Sequence, residues 1–451
     1  MGKYFGTDGV RGIANTELDA GLAYRLGYGL AWDLAETNGR PARILIGWDT
    51  RISGTMLTAS LCAGITAAGG SAKLLGTLPT PGVARAVVAD ETADAGIVVS
   101  ASHNPFEHNG LKVFGPDGYK LSDQQEERLE HYLDALPEGE KKTGAALGTV
   151  EVAFDQARQD YVRYVADTSP CAFNGLHVAV DCANGAASAT APLIFTRLGA
   201  VADFLSNSPD GININENCGS THLEQLQEKM RTGRYDIGVA FDGDADRCLL
   251  VDETGEVIDG DAILGVLAEH LQSQNRLKGA VAVTVMSNLG LHSFLQERGI
   301  ETHVTKVGDR YVLEDMVQTG GNLGGEQSGH VILLDNATTG DGELTAVQFL
   351  AVLKQSGKTA SQLANRIPKF PQVLHNVPVP REHKASVASM PAVKALEAEI
   401  REIFGTEGRI LIRPSGTEAL VRVMVEGKDR ETVEALAAKA AEIIRVEAAK
   451  L

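Results

Sequence analysis

The 451-residue chain has no hydrophobic run long enough to cross a membrane as a helix. Its start, MGKYFG, lacks the apolar core of a secretory signal, and Gly6 stands where a myristoylation signal requires serine or threonine. The five cysteines are odd in number and show no C-x-x-C spacing, which indicates buried, reduced thiols. These absences predict a cytoplasmic protein.

Positive charge is also scarce, because 41 lysines and arginines face 59 acidic residues and leave a formal net charge of −18. Such a surface repels nucleic acid and anionic membranes, so neither is an expected partner. A small anionic substrate would need a local basic pocket. Glycine is abundant, with 49 residues, and this predicts many tight loops between strands and helices, where binding sites concentrate.

Strand and helix patterns alternate along most of the chain, which is too long for a single core. Three βαβ-rich units of roughly a hundred residues predict three consecutive mixed α/β-layer domains, followed by a small α+β domain. A polar segment at 137–150 is predicted to be a linker or surface loop. The predicted domains are 1–150, 151–253, 254–368 and 369–451.

The pentapeptide ASHNP, residues 101–105, directly follows a predicted buried strand at 95–100. A turn is the simplest interpretation, because asparagine and proline are turn formers. The alternative is a nucleophilic Ser102 with its neighbouring histidine as base. Adjacent residues rarely face each other in that way, and the G-x-S-x-G pattern of esterases is absent. Taken alone, the stretch favours a turn.

The segment FDGDADR, residues 241–247, ends another predicted buried strand. Its three aspartates, Asp242, Asp244 and Asp246, are spaced so that they can converge on one cation. Their mutual repulsion is costly unless a metal is bound, and their oxygens suit Mg²⁺ or Ca²⁺. An EF-hand loop is one alternative, but Arg247 stands where that loop needs glycine, and CLLVDETGEVI is typical of a hairpin. A solvated acidic turn is another.

The glycine-rich GGEQSGH, residues 324–330, places Glu326, Ser328 and His330 at alternate positions. Glycines let a ligand approach the backbone closely. A carboxylate and a hydroxyl are suited to the vicinal hydroxyls of a sugar. A glycine-rich turn with incidental polar residues remains the alternative.

The segment IRPSGTEALVR, residues 412–422, combines hydroxyls, backbone N–H groups and two flanking arginines. This combination predicts a phosphate-binding loop, whereas an ordinary hairpin would leave the two arginines unexplained. A further loop, FGTDGVRG at 5–12, carries Arg11 and is a weak signal by itself. The candidate phosphate ligands are Arg413, Ser415, Gly416, Thr417 and Arg422.

These motifs, in this order and over the whole chain, resemble the α-D-phosphohexomutase superfamily. GEQSGH, FGTDGVRG and TKVGDRYV (305–312) are similar to its glucosamine form, whereas GEMSGH would indicate the phosphomannomutase/phosphoglucomutase form. The resemblance implies a heart-shaped, four-domain molecule with the active site in a central cleft. It also implies conversion of glucosamine 6-phosphate to glucosamine 1-phosphate for UDP-N-acetylglucosamine synthesis. Mannose or glucose phosphates are the nearest alternative substrates, and a non-catalytic phosphosugar- or Ca²⁺-binding protein is the alternative from another class.

The resemblance also implies the roles of the site residues. Ser102 would carry phosphate and bind Mg²⁺ together with the three aspartates, and a 1,6-bisphosphate would be the intermediate. Arg247 and Arg11 would stabilise the transferring charge. Lys112 and His330 match residues proposed for proton transfer, Glu326 and Ser328 would bind the sugar, and the 413–422 loop would bind the other phosphate. A homodimer is compatible with the sequence.

Overall fold

The computed structural model describes residues 2–6, 8–137, 141–405, 407–415 and 419–451. They divide into two compact units: Met1–Met286 with Gly299–Arg366, and Ser287–Arg298 with Ile367–Leu451. Three β-sheets lie in the first unit and one in the second. Within these described ranges, none of the helices combines the length and the apolar character that a membrane crossing needs.

The first sheet has seven strands in the order β1-β2-β6-β5-β3-β4-β7. The strands are β1 Phe5–Gly6, β2 Gly9–Ile13, β3 Arg43–Trp48, β4 Ser71–Thr77, β5 Ala95–Val99, β6 His108–Phe114 and β7 Val150–Val152. Its helices are α1 Ala20–Asn38, α2 Ser53–Ala67, α3 Thr80–Ala89 and α4 Asp123–Asp134. Strands β5, β3, β4 and β7 are parallel, and β6, β2 and β1 extend the sheet antiparallel.

Helices α1 and α2 pack closely because glycines remove side-chain bulk where they cross. A Cβ on Gly27 would lie 2.5 Å from the Leu61 carbonyl oxygen, and one on Gly64 would lie 2.2 Å from that of Tyr24. The backbones therefore meet in direct contact. Their apolar faces join the buried run of β3, including Ile44, in one core, as expected for a parallel strand covered by helices.

The second sheet has five strands in the order β12-β11-β10-β8-β9. The strands are β8 His177–Asp181, β9 Val201–Leu205, β10 Ile237–Phe241, β11 Cys248–Asp252 and β12 Val257–Ile258. The helices of this part are α5 Phe154–Asp167, α6 Ala191–Leu198 and α7 Glu224–Met230. Strands β10, β8 and β9 are parallel, whereas β11 and β12 form the antiparallel hairpin predicted from CLLVDETGEVI. That hairpin excludes the helix an EF-hand needs after its loop.

The third sheet has the order β14-β13-β15-β16, with β16 antiparallel to β15 and the others parallel. The strands are β13 Val281–Thr284, β14 Thr302–Thr305, β15 Leu323–Gly325 and β16 Val331–Leu333. The remaining helices of unit 1 are α8 Gly260–Ser273, α10 Asp309–Thr319, α11 Gly342–Ser356 and α12 Ala360–Ala364, whereas α9 Leu289–Glu297 belongs to unit 2.

The second unit contains an antiparallel sheet in the order β17-β19-β18. Its elements besides α9 are β17 Gln372–Pro378, α13 Lys384–Ala388, α14 Pro391–Phe404, β18 Gly408–Pro414, β19 Leu420–Gly427 and α15 Arg430–Ala448. The buried Glu426 accepts a hydrogen bond from the Leu289 N–H at 2.8 Å and one from Arg409 at 2.7 Å, which fixes the start of α9. The predicted α+β character of this region is confirmed.

The three sheets of unit 1 share one plan, in which parallel strands are bordered by an antiparallel strand. The turns at this border are β5–β6, β10–β11 and β15–β16, and they contain ASHNP, DGDADR and EQSGH respectively. Since parallel strands end at the same edge, each motif lies at the carboxyl edge of its sheet, where α/β proteins bind ligands. The predicted fold class of three α/β domains and an α+β domain is confirmed.

Candidate active site

Ser102 lies in a tight turn after β5, with the left-handed backbone angle φ = 52°. Its N–H donates to the Ser100 hydroxyl at 3.0 Å, and that hydroxyl donates to Asp49 at 2.5 Å. The Ser102 hydroxyl itself donates to Asp242 Oδ2 at 2.6 Å, while His103 Nδ1 is 3.4 Å away. The expected turn is present, and it directs a buried hydroxyl at the aspartate cluster.

The turn between β10 and β11 gathers the three aspartates, helped by Ala245 in the left-handed region with φ = 54°. Asp242, Asp244 and Asp246 are buried, and one carboxylate oxygen of each lies within 4.8 Å of the others. Asp244 Oδ1 and Asp246 Oδ1 are buried with no hydrogen-bond partner among the described residues. Oxygens left in this way fit a hard divalent cation, which satisfies them without a donor.

The pKa values of the clustered aspartates also indicate a site for a cation. Burial, and then the negative charges of Asp246 and Asp244, raise the pKa of Asp242 well above its ordinary value. Burial alone would also raise the pKa of Asp246, but Lys112 and His330 hold it well below the usual range. Three adjacent carboxylates cannot all ionise cheaply without added positive charge, so the cluster is suited to a metal.

Lys112, on β6, is buried among carboxylates. Its Nζ lies 2.8 Å from Asp244, 3.0 Å from Asp8 and 3.4 Å from Asp246. Burial alone would lower the pKa of Lys112, but these three carboxylates raise it. The ammonium therefore supplies a fixed positive charge beside the aspartates.

Arg247 and Arg11 approach the Ser102 turn from two different sheets. The Arg247 backbone N–H donates to Asp242 Oδ1 at 3.2 Å, and its guanidinium donates to His103 Nδ1 at 3.0 Å. Arg11 is paired with Asp8. Burial, with the charges of Arg247 and Arg11, lowers the pKa of His103 to about 4, so this imidazole is neutral at neutral pH. Both guanidinium groups stay charged there.

His330, at the end of the third motif, faces the same cluster. Its Nδ1 is 3.7 Å from Asp246 Oδ1, and its Nε2 accepts the Gly340 N–H at 3.1 Å. Burial alone would lower the pKa of His330, but Asp246 and Asp309 raise it. The Gly340 bond leaves Nδ1 as the nitrogen that carries the proton of the neutral ring toward Asp246.

A cavity of about 370 Å³ opens beside the EQSGH turn. The Glu326 carboxylate at its wall accepts the Gly308 N–H at 3.0 Å, which holds it in place. The cavity combines a carboxylate, a guanidinium and a hydroxyl with apolar walls, as a sugar site does. Its lining residues are Arg247, Thr284, Met286, Val307, Glu326, Gln327 and Ser328.

The candidate phosphate residues of unit 2 lie where β18 and β19 turn into each other. Arg413 and Arg422 are directly opposite across the two strands, and Asn376 of β17 is the next residue in that row. Two guanidinium groups side by side are suited to the oxygens of a phosphate. The Ser415 N–H closes the turn by donating to the Leu420 carbonyl at 2.9 Å. Gly416 and Thr417 lie outside the described residues.

Sequence reasoning missed several residues that build the site. Lys120 joins Asp8 to Asp309, with Nζ 2.6 Å from the Asp309 carboxylate. Thr80, at the start of α3, donates its hydroxyl to Asp244 Oδ2 at 2.5 Å and its N–H to the Asp244 carbonyl at 3.0 Å. Asp8 and Asp309 lie inside motifs quoted above, FGTDGVRG and TKVGDRYV. No local signal marks Lys120 or Thr80.

Four family models match consecutive parts of the chain. They describe the phosphoglucomutase/phosphomannomutase alpha/beta/alpha domains I, II and III and the C-terminal domain, and they match residues 2–140, 159–255, 259–370 and 374–443. The chain belongs to this family of phosphohexomutases, which are isomerases. The predicted family and enzyme class are confirmed.

Curated relatives extend over the full length. The phosphoglucosamine mutase of Acetivibrio thermocellus is 49% identical over 448 residues, or 99% of both chains. That of Desulforamulus reducens is 50% identical over 447 residues, covering 98% of this chain and 99% of the relative.

Solved structures share the fold. A phosphoglucomutase/phosphomannomutase family protein from Burkholderia thailandensis has a TM-score of 0.81 at 25% identity, covering 98% of this chain and 97% of its own. The N-acetylphosphoglucosamine mutase of Aspergillus fumigatus, in complex with GlcNAc-6P and magnesium, has a TM-score of 0.73 at 17% identity, with 99% and 96% covered.

Proposed function

We propose that this chain interconverts glucosamine 6-phosphate and glucosamine 1-phosphate through a phosphorylated Ser102 and a 1,6-bisphosphate. The observation that carries the proposal is the buried Ser102 hydroxyl, 2.6 Å from a carboxylate of a three-aspartate cluster. The identity of 49–50% to phosphoglucosamine mutases over the full length supports the choice of substrate. A cytoplasmic location and a homodimer stay predictions, as do the domain boundaries at 150, 253 and 368.

Asp242, Asp244 and Asp246 would hold Mg²⁺, together with an oxygen of phosphorylated Ser102. Their oxygen-only ligand set and the unpartnered Asp244 and Asp246 oxygens support this assignment. When bound, the ion supplies positive charge that offsets the carboxylates and the transferring phosphoryl group.

The surrounding side chains supply positioning and charge, which dominate phosphoryl transfer. In the proposed reaction the Ser102 phosphoryl passes to the free sugar hydroxyl, the bisphosphate turns by about half a revolution, and its other phosphate returns to Ser102. Arg247 lines the sugar cavity and also contacts the Ser102 turn. Its charge is therefore proposed to stabilise the phosphoryl group both on the serine and on the sugar. Arg11 adds a second cation.

Proton transfer is proposed for Lys112 and His330, which differ in their surroundings. Three carboxylates surround the Lys112 ammonium, so it is placed to hold charge. The His330 Nδ1 faces Asp246, while its Nε2 accepts a backbone N–H and lies 3.8 Å from Asp309. We propose that one of these two residues exchanges the proton of the sugar hydroxyl. A test is whether His330→Gln removes a limb of the pH–rate profile that Lys112→Arg retains.

The Arg413 side chain is proposed to hold the non-reacting phosphate. Arg413→Ala should raise KM and lower kcat, reducing kcat/KM by about 10- to 100-fold, because the anchored phosphate also aligns the reacting end. Steady-state kinetics on glucosamine 1-phosphate measure this. Arg430→Ala, at an exposed position of α15, is the matched control and should leave both constants unchanged. Unchanged constants in Arg413→Ala would place the phosphate ligand elsewhere.

Substrate choice is proposed to depend on Gln327, the residue between Glu326 and Ser328. The candidate substrates differ at C2, where glucosamine carries an amine, and a polar partner for it is worth roughly 1–3 kcal/mol. Gln327→Met should therefore reduce the preference for glucosamine over glucose phosphate in kcat/KM by about 5-fold or more. Gln355→Met, at an exposed site on α11, should leave the preference as it is.

One assay series tests the proposed function as a whole. Purified enzyme is given glucosamine, glucose and mannose phosphates, with Mg²⁺ and then with excess chelator. The proposal predicts the highest kcat/KM on glucosamine phosphate and no turnover of any of the three substrates without the metal. Higher kcat/KM on mannose phosphate would assign a phosphomannomutase with the same mechanism. Binding without turnover would support a phosphosugar-binding protein.

A further inference from the structure

We propose that Asn215 is a positioning residue for phosphoryl transfer, which holds the Ser102 turn in the conformation that directs its hydroxyl at Asp242. The inference rests on the proposed function, since it concerns the geometry of the same serine. Asn215 lies in the loop between β9 and α7, more than a hundred residues from Ser102, and it is 8% exposed.

The Ser102 turn is strained and needs external support. A left-handed backbone angle of 52° is unfavourable for serine, and such conformations persist only where the surroundings over-determine them. Within the turn, the Ser102 N–H donates to the Ser100 hydroxyl and the Asn104 N–H donates to the Ala101 carbonyl at 3.1 Å. The carbonyls of Ser102 and Asn104 accept hydrogen bonds from side chains outside the turn.

Two side chains hold those carbonyls. Asn215 Nδ2 donates to the Ser102 carbonyl at 2.9 Å and to the Asn104 carbonyl at 3.1 Å. Arg51 Nη2 donates to the same two oxygens at 3.1 and 2.5 Å. Each carbonyl thus accepts two hydrogen bonds, which fills both of its lone pairs. Arg51 follows β3 of the first sheet, whereas Asn215 lies in the loop after β9 of the second sheet, the sheet that also carries the aspartates.

The backbone around Asn215 is built for this contact. Asn215 is itself left-handed, with φ = 58°, and its N–H donates to the Ala183 carbonyl at 2.9 Å. A Cβ on Gly243 would lie 2.5 Å from the Ser102 carbonyl oxygen and 2.9 Å from Asn215 Nδ2, so only glycine admits the three groups together. Asn215 Oδ1 is buried with no hydrogen-bond partner among the described residues. The side chain therefore contributes to this site through the N–H groups of Nδ2.

The contact therefore ties the phosphate-carrying turn to the sheet that presents the metal ligands. Without the Asn215 amide, each carbonyl keeps only its hydrogen bond from Arg51, so the turn can relax toward ordinary backbone angles and move the Ser102 oxygen away from Asp242. A displacement of about 1 Å at a reacting atom can cost about 100-fold in rate. Substrate affinity should change little, because Asn215 does not line the sugar cavity.

Two variants test the proposal. Asn215→Asp keeps the shape but opposes two carbonyl oxygens with a carboxylate, and Asn215→Gly keeps the left-handed backbone while removing both donors. Each should lower kcat by about 10- to 100-fold with KM changed by less than about 3-fold. Each should slow phosphorylation of Ser102 by glucose 1,6-bisphosphate by the same factor. Asn217→Asp and Asn217→Gly are matched controls, because Asn217 is an exposed left-handed asparagine of the same loop.

The outcomes separate this inference from the proposed function. Wild-type enzyme that neither turns over nor becomes phosphorylated contradicts the proposed function. Active wild-type enzyme with both Asn215 variants as fast as the Asn217 controls overturns the positioning role. A fall in kcat matched by an equal rise in KM and a lower unfolding midpoint in both variants also overturns it, because that pattern shows general destabilisation.

Discussion

Ser102→Ala should lower kcat by about 10⁴-fold or more, the scale seen when the covalent nucleophile of an enzyme is removed. The hydroxyl is buried, 2.6 Å from Asp242, and no other hydroxyl within the described part of the chain donates to that carboxylate. Binding of glucosamine 1-phosphate should persist, because the phosphate and sugar contacts are proposed for other residues.

The control for this prediction is Ser273→Ala, at an exposed serine near the end of α8, which should retain full activity. Ser102→Thr is a second comparison. It keeps a hydroxyl, but a β-branched residue is disfavoured at φ = 52°, so its kcat should also fall strongly. Turnover by Ser102→Ala at even a tenth of the wild-type rate would contradict a covalent role for this residue.

Removing the divalent cation should abolish turnover, and Asp244→Asn should lower kcat by about 100-fold or more. Asp244 accepts hydrogen bonds from Thr80 and Lys112 through Oδ2, which leaves Oδ1 for a metal. The asparagine keeps the volume but removes one negative charge, so the site attracts the ion less strongly and Lys112 loses a partner.

Activity in excess chelator, and its recovery with added Mg²⁺, measure the first part of this prediction. Ca²⁺ should compete for the site yet support little turnover, since it accepts looser coordination than Mg²⁺. Asp167→Asn, on the surface at the end of α5, is the control for the substitution. Full activity in chelator would show that the aspartate cluster has no catalytic metal.

Much of the fold follows from local sequence, because alternating apolar runs mark the strands and amphipathic periods mark the helices. The buried strand predicted at 95–100 is observed as β5, Ala95–Val99. Helix α1 was not predicted, since Gly27 and Gly29 inside it lower its helix propensity. Those glycines are explained by tertiary contact, because a Cβ on Gly27 would strike Leu61 of α2.

The site residues also fall into those that the sequence indicates and those that only the folded structure shows. Its motifs are contiguous in sequence, so FDGDADR indicates a cation site by itself, whereas ASHNP and GGEQSGH alone also fit ordinary turns and are assigned to Ser102 and the sugar through the family resemblance. Thr80, Lys120 and Asn215 reach the site only after folding, each through one side chain on an otherwise ordinary element. A single sequence indicates functional residues that lie close together in one motif, but it does not indicate residues that are distant in sequence and come into contact only in the folded protein.

The most direct test of the account is the mass of the enzyme during turnover. The protein is sampled at steady state with glucosamine 6-phosphate and a trace of the bisphosphate, then analysed intact and after proteolysis, with and without phosphatase. The account predicts one added phosphate, located on the peptide that contains Ser102, with activity lost as the phosphatase removes it and regained with the bisphosphate. Fully active enzyme without phosphate on Ser102 at any time in turnover would contradict it.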